Sequence, residues 1–254
     1  MKMNAMIAGA LGFAVVMLNP AAAANAAEIK VISSVGVRAA LEELKPQFEG
    51  ATQHKLTLAF GTAVPLKRQI EAGETFDVVI LTPALVEDLV KQGKVAPGTQ
   101  SDVAKAGIGV AGRAGAVKPH IGTAEAFRRA LLNAKSIVYS KEGQSGTYMA
   151  SLIERLGIAA EMKPKTVLET RSGHSAIAVV EGKAELGFAL ISEILPVSGA
   201  ELVGPLPAEL QNYVVFTAGI SPSARDAEAA RTFINFFTAP SALPVLKSKG
   251  MEPR

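Results

Sequence analysis

Residues 76–93, FDVVILTPALVEDLVKQG, decide the fold class of the chain. The first part, Phe76–Thr82, is nearly all apolar, which is typical of a strand buried on both faces of a parallel sheet. Pro83 suits the first turn of a helix, and Gly93 is a residue that commonly ends one. The stretch therefore predicts a buried strand followed directly by a helix over 84–92, the repeating unit of an α/β sheet.

Short apolar strands alternate with amphipathic helices along the rest of the chain as well. Further strands are predicted at 29–33, 55–60, 106–112, 136–139, 166–169, 185–190, 203–206 and 213–220. Further helices are predicted at 36–48, 65–72, 146–156, 175–181 and 224–238. This alternation is typical of α/β proteins whose sheets are mostly parallel. The pattern forms two series that separate after Lys105, which predicts two lobes with a cleft between them.

The composition excludes several classes of protein. Of the 254 residues, 49% are hydrophobic and 19% are charged, which supplies a folded core and excludes a disordered chain. The chain has no cysteine, so disulfide frameworks, thiol nucleophiles and cysteine zinc sites are excluded. The net charge of +3 arises from 26 basic and 23 acidic side chains without a basic block, so we expect no nucleic-acid partner.

Residues 1–27 have the pattern of a secretory signal peptide. Lys2 gives the positive start, Ala5–Leu18 form an apolar run, and the alanines at 22–24 and 26 offer cleavage sites. The run is shorter than the roughly 20 residues of a membrane-spanning helix, so we expect cleavage rather than anchoring. The mature chain is predicted to be periplasmic or extracellular, without insertion into a membrane.

Five loops that join a predicted strand to the next helix contain the candidate binding residues. In α/β sheets, ligands bind outside the carboxyl ends of the strands, and the helix N-termini found there favour anions. Serine, threonine and glycine in such loops are also ordinary helix caps, so only their convergence on one cleft indicates binding. The loops are Ser33–Gly36, Gly61–Pro65, Ser140–Tyr148, Thr170–His174 and Leu190–Glu193.

The known metal-binding and catalytic motifs are missing from the sequence. There is no HExxH, no close histidine pair and no acidic DxDxDG loop, so we expect no metal and no other cofactor. A GxSxG elbow and a phosphate-binding P-loop are also missing. Glu142, Glu169 and Glu193 are weak candidates for a carboxylate base, because their positions are equally typical of loop or surface residues.

Arg171 and His174 each have two interpretations. By default, an arginine in a loop is a surface charge, and a histidine near a helix start is a surface or capping residue. If both face the cleft, Arg171 offers a bidentate clamp for a carboxylate. His174 can then donate to an anion or act as a general acid or base.

Four segments together are typical of one protein family. They are LKRQIEAG at 66–73, FDVVI at 76–80, VEGKAELGF at 180–188 and the C-terminal residues 233–250. Through them the whole mature chain resembles the periplasmic molybdate-binding protein family, the type II solute-binding proteins of ABC importers. The resemblance implies the two-lobed type II periplasmic-binding-protein fold, with lobe one at 28–106 plus 215–254 and lobe two at 107–214. It also implies a monomer that holds a small anion between the lobes and delivers it to an ABC permease.

The binding positions depart from the pattern of this family. Its molybdate-binding members hold the oxyanion with a serine after strand one, a serine after strand two, backbone N–H groups and often a tyrosine. The matching positions here are Gly36, Ala63 and Leu190, and each lost partner costs an oxyanion about 1–3 kcal/mol. With Arg171 and His174 as cationic donors, we expect a small organic di- or tricarboxylate rather than molybdate.

The expected ligand-binding residues combine the loops with this alignment. Ser33, Ser34 and Thr62 lie one or two residues from the lost hydroxyls and can replace them in part. The full set is Ser33, Ser34, Gly36, Thr62, Ala63, Ser145, Gly146, Thr147, Arg171, Gly173 and His174.

Two functions fit such a site. The first is capture of an anion for import, which needs no covalent chemistry. The alternative is an enzyme on the same scaffold, as in aconitate isomerase, a periplasmic enzyme that resembles this family and shifts a double bond without a cofactor. In that case His174 is the expected catalytic acid or base, with Arg171 and the helix N-termini at 34–36 and 145–147 as carboxylate clamps.

Overall fold

The computed structural model describes residues 26–171 and 173–253. The predicted signal peptide therefore lies outside the described residues, apart from Ala26 and Ala27. Within the described ranges, no helix is long and apolar enough to cross a lipid bilayer.

The described residues form ten strands and ten helices, joined by loops and short 3-10 turns. The strands are β1 (Glu28–Ser34), β2 (Lys55–Gly61), β3 (Val78–Leu81), β4 (Ser101–Arg113), β5 (Ile137–Ser140), β6 (Thr166–Glu169), β7 (Leu186–Leu190), β8 (Ala200–Pro205), β9 (Tyr213–Ile220) and β10 (Met251–Glu252). The helices are α1 (Arg38–Thr52), α2 (Ala63–Glu71), α3 (Pro83–Lys91), α4 (Ala124–Asn133), α5 (Gln144–Arg155), α6 (Ala159–Met162), α7 (Ser175–Val180), α8 (Ile191–Ile194), α9 (Ala227–Thr238) and α10 (Leu243–Ser248).

The strands form one continuous path in the order β2-β1-β3-β9-β4-β7-β5-β6, and β8 and β10 also pair with β4. At one end, β2 and β3 are parallel to β1; at the other, β6 and β7 are parallel to β5. The long strands β9 and β4 between these two trios run antiparallel to their neighbours. Each trio therefore ends all of its strands at one edge, where the following helices begin.

The two halves of the path share strand β4. Its residues Ser101–Gly107 pair with β9, whereas Ile108–Ala111 pair with β7. We call the elements built on β1, β2, β3 and β9 lobe one, and those built on β5, β6 and β7 lobe two. The two-lobed α/β architecture predicted from the sequence is confirmed.

The buried core is continuous through both lobes. In lobe one, Phe48 of α1 packs edge-to-face against Phe233 of α9, with ring centres 5.5 Å apart. In lobe two, Phe127 of α4 packs in the same way against Phe188 of β7, with ring centres 6.0 Å apart. An aromatic contact therefore joins two helices in lobe one and holds a helix on the sheet in lobe two.

The structure differs locally from the predicted elements at three places. A 3-10 turn, Val35–Val37, follows β1 directly, so Gly36 lies in that turn rather than at the start of an α-helix. Helix α2 begins at Ala63, two residues before the predicted start at Pro65. Helix α4 is absent from the predicted elements, although Thr123 caps it by accepting a hydrogen bond from the backbone N–H of Ala126 at 3.2 Å.

Candidate functional site

The parallel strands of both lobes end at one cleft. β1 and β2 of lobe one and β5 and β7 of lobe two are each followed at once by a loop and a helix or helical turn. The cleft contains about 560 Å³ of empty space, part of which is open to solvent. This is the position that the strand order predicts for a ligand in an α/β sheet.

Three helices begin at the cleft. The residues before α2, α3 and α5 are Thr62, Thr82 and Gly143, and all three line the cleft. None of them caps its helix through a side-chain hydrogen bond. Because the first N–H groups of a helix have no partner within it and its N-terminus is partly positive, these ends favour an anionic ligand.

Serine hydroxyls from both lobes reach the same space. Ser34 is the last residue of β1 in lobe one, and Ser145 and Ser175 lie in the first turns of α5 and α7 in lobe two. Each residue is almost fully buried, yet its hydroxyl makes no hydrogen bond to another described residue and is not shut away from solvent. These three hydroxyls are therefore available to donate to a ligand.

Part of the cleft lining is apolar, and we call this part the apolar wall. It consists of Val35 and Val64 in lobe one, Leu190 at the end of β7, and Val214 and Phe216 of β9. Such a wall offers no hydrogen bonds, so it favours the carbon part of a ligand over oxygen atoms.

Gly36 lies behind this wall. A Cβ atom added to it would lie 2.6 Å from Phe216 Cζ and 2.8 Å from Leu190 Cδ1, so a serine does not fit there without moving these side chains. The space of the missing serine hydroxyl is thus occupied by apolar side chains.

The two lobes touch beside the cleft. The hydroxyl of Ser192 in α8 donates to the backbone carbonyl of Gly36 at 2.7 Å, and both residues are buried. Gly173, which has a positive φ of 65°, lies so near Val35 that an added Cβ would be 3.1 Å from it. These contacts link the turn after β1 to the loops of lobe two.

Among the described residues that line the cleft, the ionisable groups are Glu142 and Glu193. Glu193 is the third residue of the short helix α8, and its Oε2 accepts a hydrogen bond from the backbone N–H of Leu190 at 3.2 Å. Burial raises the pKa of the Glu193 carboxyl to about 7, and the bond from Leu190 opposes this shift only in part. A carboxyl that titrates near neutral pH therefore lies in the cleft.

Arg171 lies outside the lining residues and is paired within its own loop. Its Nη2 donates to Glu169 Oε2 at 2.9 Å, and its Nε and backbone N–H donate to Glu169 Oε1 at 3.1 and 2.9 Å. These bonds from Arg171 are the main reason that the pKa of Glu169 falls to about 2. The guanidinium fork that was expected to clamp a ligand carboxylate is thus occupied by a carboxylate of the protein.

The other expected residues divide into those that line the cleft and those that lie behind it. His174 precedes α7, is half-buried and lies outside the lining residues. Gly146 packs against β5, where an added Cβ would lie 1.7 Å from the carbonyl oxygen of Ser140, so it shapes the loop. The expected residues that line the cleft are Ser34, Thr62, Ala63, Ser145 and Gly173; those outside the lining are Ser33, Gly36, Gly146, Thr147, Arg171 and His174.

Several lining residues were not expected from the sequence. Thr82 follows the buried strand β3 and precedes α3, so it lies in a strand–helix loop of the same kind as the five candidate loops. Ser175 lies one residue past the predicted loop. Val214 and Phe216 come from the interior of β9, and nothing in their local sequence distinguishes them from ordinary core residues.

No group of three or more histidine, aspartate and glutamate side chains in the described ranges is placed to hold a metal ion. The donors that the cleft offers are backbone N–H groups, hydroxyls and the Gln144 amide. This donor set suits a small anion.

Comparisons with known proteins agree on the architecture. Residues 29–252 match the family model described as bacterial extracellular solute-binding protein. The aconitate isomerase of a Pseudomonas species is 28% identical over 251 residues, covering 96% of this chain and 95% of that protein. The molybdate-binding protein ModA of Azotobacter vinelandii is 26% identical over 242 residues, covering 91% of this chain and 92% of that protein.

The solved structures bear on the fold alone. The periplasmic molybdate-binding protein of Azotobacter vinelandii superposes with a TM-score of 0.76 at 22% identity, covering 89% of this chain and 99% of that one. This likeness confirms the predicted type II periplasmic-binding-protein fold.

Proposed function

The chain belongs to the bacterial extracellular solute-binding protein family, and we propose that it captures a small organic di- or tricarboxylate in the cleft between its lobes. The family comprises solute-binding proteins of ABC importers of the molybdate type, which bind small anions. The proposal specifies the anion that this cleft suits best.

The observation that carries the proposal is the apolar wall that closes the cleft in front of Gly36. An inorganic oxyanion presents oxygen on every side, so its oxygen atoms facing Leu190 and Phe216 would have no donor. Each such loss costs about 1–3 kcal/mol. An organic polycarboxylate can place its carbon skeleton against this wall and its carboxylates at the helix N-termini.

The charge of this ligand is met by neutral donors. The N-terminal ends of α2, α3 and α5 and the hydroxyls of Ser34 and Ser145 border the cleft from both lobes. Arg171 is engaged by Glu169, so we assign it a role in shaping its loop rather than in clamping the ligand.

We further propose the cellular context that the family supports. Residues 1–27 direct export, the mature chain resides in the periplasm as a monomer, and the ligand-loaded protein docks on an ABC permease. Both lobes then contribute to the surface that the permease recognises, because the ligand holds them together.

A binding panel tests the proposed ligand class. The mature protein is titrated with trans-aconitate and citrate, and separately with molybdate, tungstate and sulfate, by thermal shift and calorimetry. We expect clear stabilisation by at least one polycarboxylate and weaker or no stabilisation by the inorganic anions. Stabilisation by molybdate or tungstate alone would contradict the proposal.

A second function is favoured by the Glu193 carboxyl. A carboxyl group without a cation beside it repels a bound anion when it is ionised, whereas an acid–base enzyme uses such a group to move a proton. The match to an aconitate isomerase along 96% of this chain supports the same alternative, the cofactor-free shift of a double bond in a small unsaturated tricarboxylate.

Incubation with trans-aconitate tests this alternative. The mature protein is mixed with the compound in the absence of metal and cofactor, and the appearance of cis-aconitate is followed by NMR. Turnover identifies an isomerase; binding without turnover leaves the protein as a receptor.

A further inference from the structure

Glu193 differs from several carboxylates of the molecule that are held in ion pairs. Glu71 lies 2.6 Å from Lys67, Glu201 lies 3.0 Å from Lys118, and Glu169 is held by Arg171. Glu193 takes part in no ion pair with a described residue, and it lines the cleft. Glu193 is half-buried, and its hydrogen bond from Leu190 engages one carboxyl oxygen, so the other oxygen makes it a candidate for proton transfer in the cleft.

The charged groups around Glu193 are all engaged elsewhere. Helix α8 packs against β4, β7, β8 and the turn Val35–Val37. Strand β7 and this turn carry no ionisable side chain. The charged side chains on β4 and β8, and Lys249 near the C-terminus, each contact another partner. These contacts are Lys105 with Glu252, Arg113 with the carbonyl of Val180, Asp102 with Thr217, Glu201 with Lys118 and Lys249 with Glu43. Glu142, on the loop before α5, is the other carboxyl group that lines the cleft.

The two oxygens of the Glu193 carboxyl have different surroundings. Oε2 is fixed by the backbone N–H of Leu190 at 3.2 Å. Oε1 makes no hydrogen bond to a described residue, so it is the oxygen that can meet a ligand. The backbone bond sets the orientation of the carboxyl, and the hydroxyl of Ser192 ties the same helical turn to lobe one.

We propose that Glu193 is the catalytic acid–base residue of this cleft and moves one proton along the carbon skeleton of a bound unsaturated polycarboxylate. The inference rests on the isomerase alternative of the proposed function. It replaces His174, which lies outside the lining residues, as the proton-transferring group.

The proposed step is balanced within the ligand and Glu193. The carboxylate takes a proton from the ligand's methylene carbon, which breaks one C–H bond. The electron pair of that bond spreads over the three-carbon allylic unit and the adjoining carboxylate, and the double bond moves by one position. Glu193, now protonated, delivers its proton to the far carbon of this unit and forms one new C–H bond. No oxidant, reductant or co-reactant is required.

The surroundings of Glu193 suit this step. A carboxyl group whose pKa is raised to about 7 by burial is present in both protonation states at neutral pH, so it can act as base and then as acid. The negative charge that develops on the ligand lies near the N-termini of α2 and α5, which stabilise it without reorganising.

The test compares wild type, Glu193→Gln and a matched control, Glu209→Gln, with trans-aconitate in D2O. Glutamine retains an acceptor for the Leu190 N–H but cannot take a proton. Glu209 also accepts a backbone hydrogen bond, from Ala124 at 2.8 Å, and lies outside the cleft. Deuterium incorporation and formation of cis-aconitate are followed by NMR, and binding of trans-aconitate is followed by thermal shift.

We expect Glu193→Gln to bind trans-aconitate and to lose at least about 100-fold in exchange and turnover, the usual contribution of a general acid–base group. Glu209→Gln is expected to match wild type. A Glu193→Gln protein that exchanges at the wild-type rate overturns the inference.

Two further results distinguish a failure of the catalytic role of Glu193 from a failure of the proposed ligand capture. Wild type that binds the compound without exchange or turnover overturns the inference and leaves capture intact; wild type that does not bind overturns both. If Glu193→Gln fails to fold, the wild-type pH profile decides. Exchange that rises with pH around a midpoint near 7 supports Glu193, and a flat profile between pH 5.5 and 8.5 overturns it.

Discussion

The two sides of the cleft differ in chemistry although they have the same plan. On each side, parallel strands end at loops whose small polar residues begin helices. Lobe one contributes neutral hydroxyls and apolar side chains, such as Ser34, Thr62 and Phe216. Lobe two contributes hydroxyls as well, and in addition both ionisable lining groups of the described residues, Glu142 and Glu193. Among the described lining residues, lobe one thus offers neutral groups only, and both carboxyl groups belong to lobe two.

One glycine beside the cleft in each lobe also differs in the atoms that surround it, and substitutions at these two glycines have the largest expected effect. In lobe two, a Cβ on Gly146 would lie 1.7 Å from the backbone oxygen of Ser140, which cannot move without displacing β5. At Gly36 in lobe one, the nearest atoms belong to the side chains of Phe216 and Leu190. We expect Gly146→Ala to lower the free energy of unfolding by about 3 kcal/mol and Gly36→Ala by about 1 kcal/mol.

Urea unfolding of both variants measures this difference. Gly50→Ala is the control, because Gly50 lies in α1 and an added Cβ meets no atom within 4 Å. We expect it to be neutral or slightly stabilising. Equal losses for Gly146→Ala and Gly36→Ala would show that the backbone beside Gly146 yields as readily as the side chains beside Gly36.

The fold could be predicted from the sequence because its signals are local. The buried strand β3 and helix α3 follow from the apolar run, Pro83 and Gly93, and β6 and β9 have the predicted bounds. Helix α4 is absent from the prediction even though its N-cap, Thr123, and its buried face, with Phe127 and Leu131, have ordinary helical signals. The local sequence therefore contains enough information to predict α4.

The candidate site could be predicted only in part, because its outline depends on contacts between distant segments. Ser34 and Ser145 line the cleft as expected, since Ser34 ends a strand and Ser145 lies in the first turn of a helix. The pairing of Arg171 with Glu169 depends on the path of the loop. The positive charge of Arg171 alone does not indicate which carboxylate it binds. Phe216 reaches the cleft through the pairing of β9 in the sheet, which no local pattern reveals.

The pH dependence of the free energy of unfolding tests the contrast between the two lobes, and its expected effect is of intermediate size. The pKa of Glu193 is raised above its ordinary 4.5 to about 7, so the folded state binds more protons than the unfolded state between these values. The Glu193 contribution therefore makes the wild type less stable as pH rises from 4.5 to 7. Glu193→Gln lacks this titration, so we expect it to gain about 1–3 kcal/mol relative to wild type between pH 4.5 and 8.

Urea unfolding at pH 4.5, 6 and 8 checks this difference. Ser34→Ala is the lobe-one counterpart, and we expect its offset from wild type to be independent of pH. If the Glu193→Gln and wild-type curves run parallel across this range, Glu193 does not titrate near neutral pH and the contrast between the lobes fails.

The smallest expected effect concerns Arg171, which the sequence suggests as a ligand clamp and the structure shows bound to Glu169. Because Arg171 lowers the pKa of Glu169 from 4.5 to about 2, the pair stabilises the fold above pH 4.5, and this stabilisation is lost as pH falls from 4.5 toward 2. Arg171→Gln should therefore unfold slightly more easily than wild type at pH 7 and equally easily near pH 2. The stability effect is small, since the Arg171 side chain is half exposed.

The affinity of Arg171→Gln for trans-aconitate separates the two roles of this residue. A bidentate clamp on a ligand carboxylate would lose at least about tenfold in affinity on its removal, since charge-assisted bonds contribute about 1.5–3 kcal/mol. A residue that shapes its own loop leaves the affinity within about threefold of wild type, which is what we expect, measured by calorimetry at pH 7. A tenfold loss would mean that Arg171 leaves Glu169 when the ligand binds, and lobe two would then supply a cation to the anion as well as a proton-exchanging carboxyl.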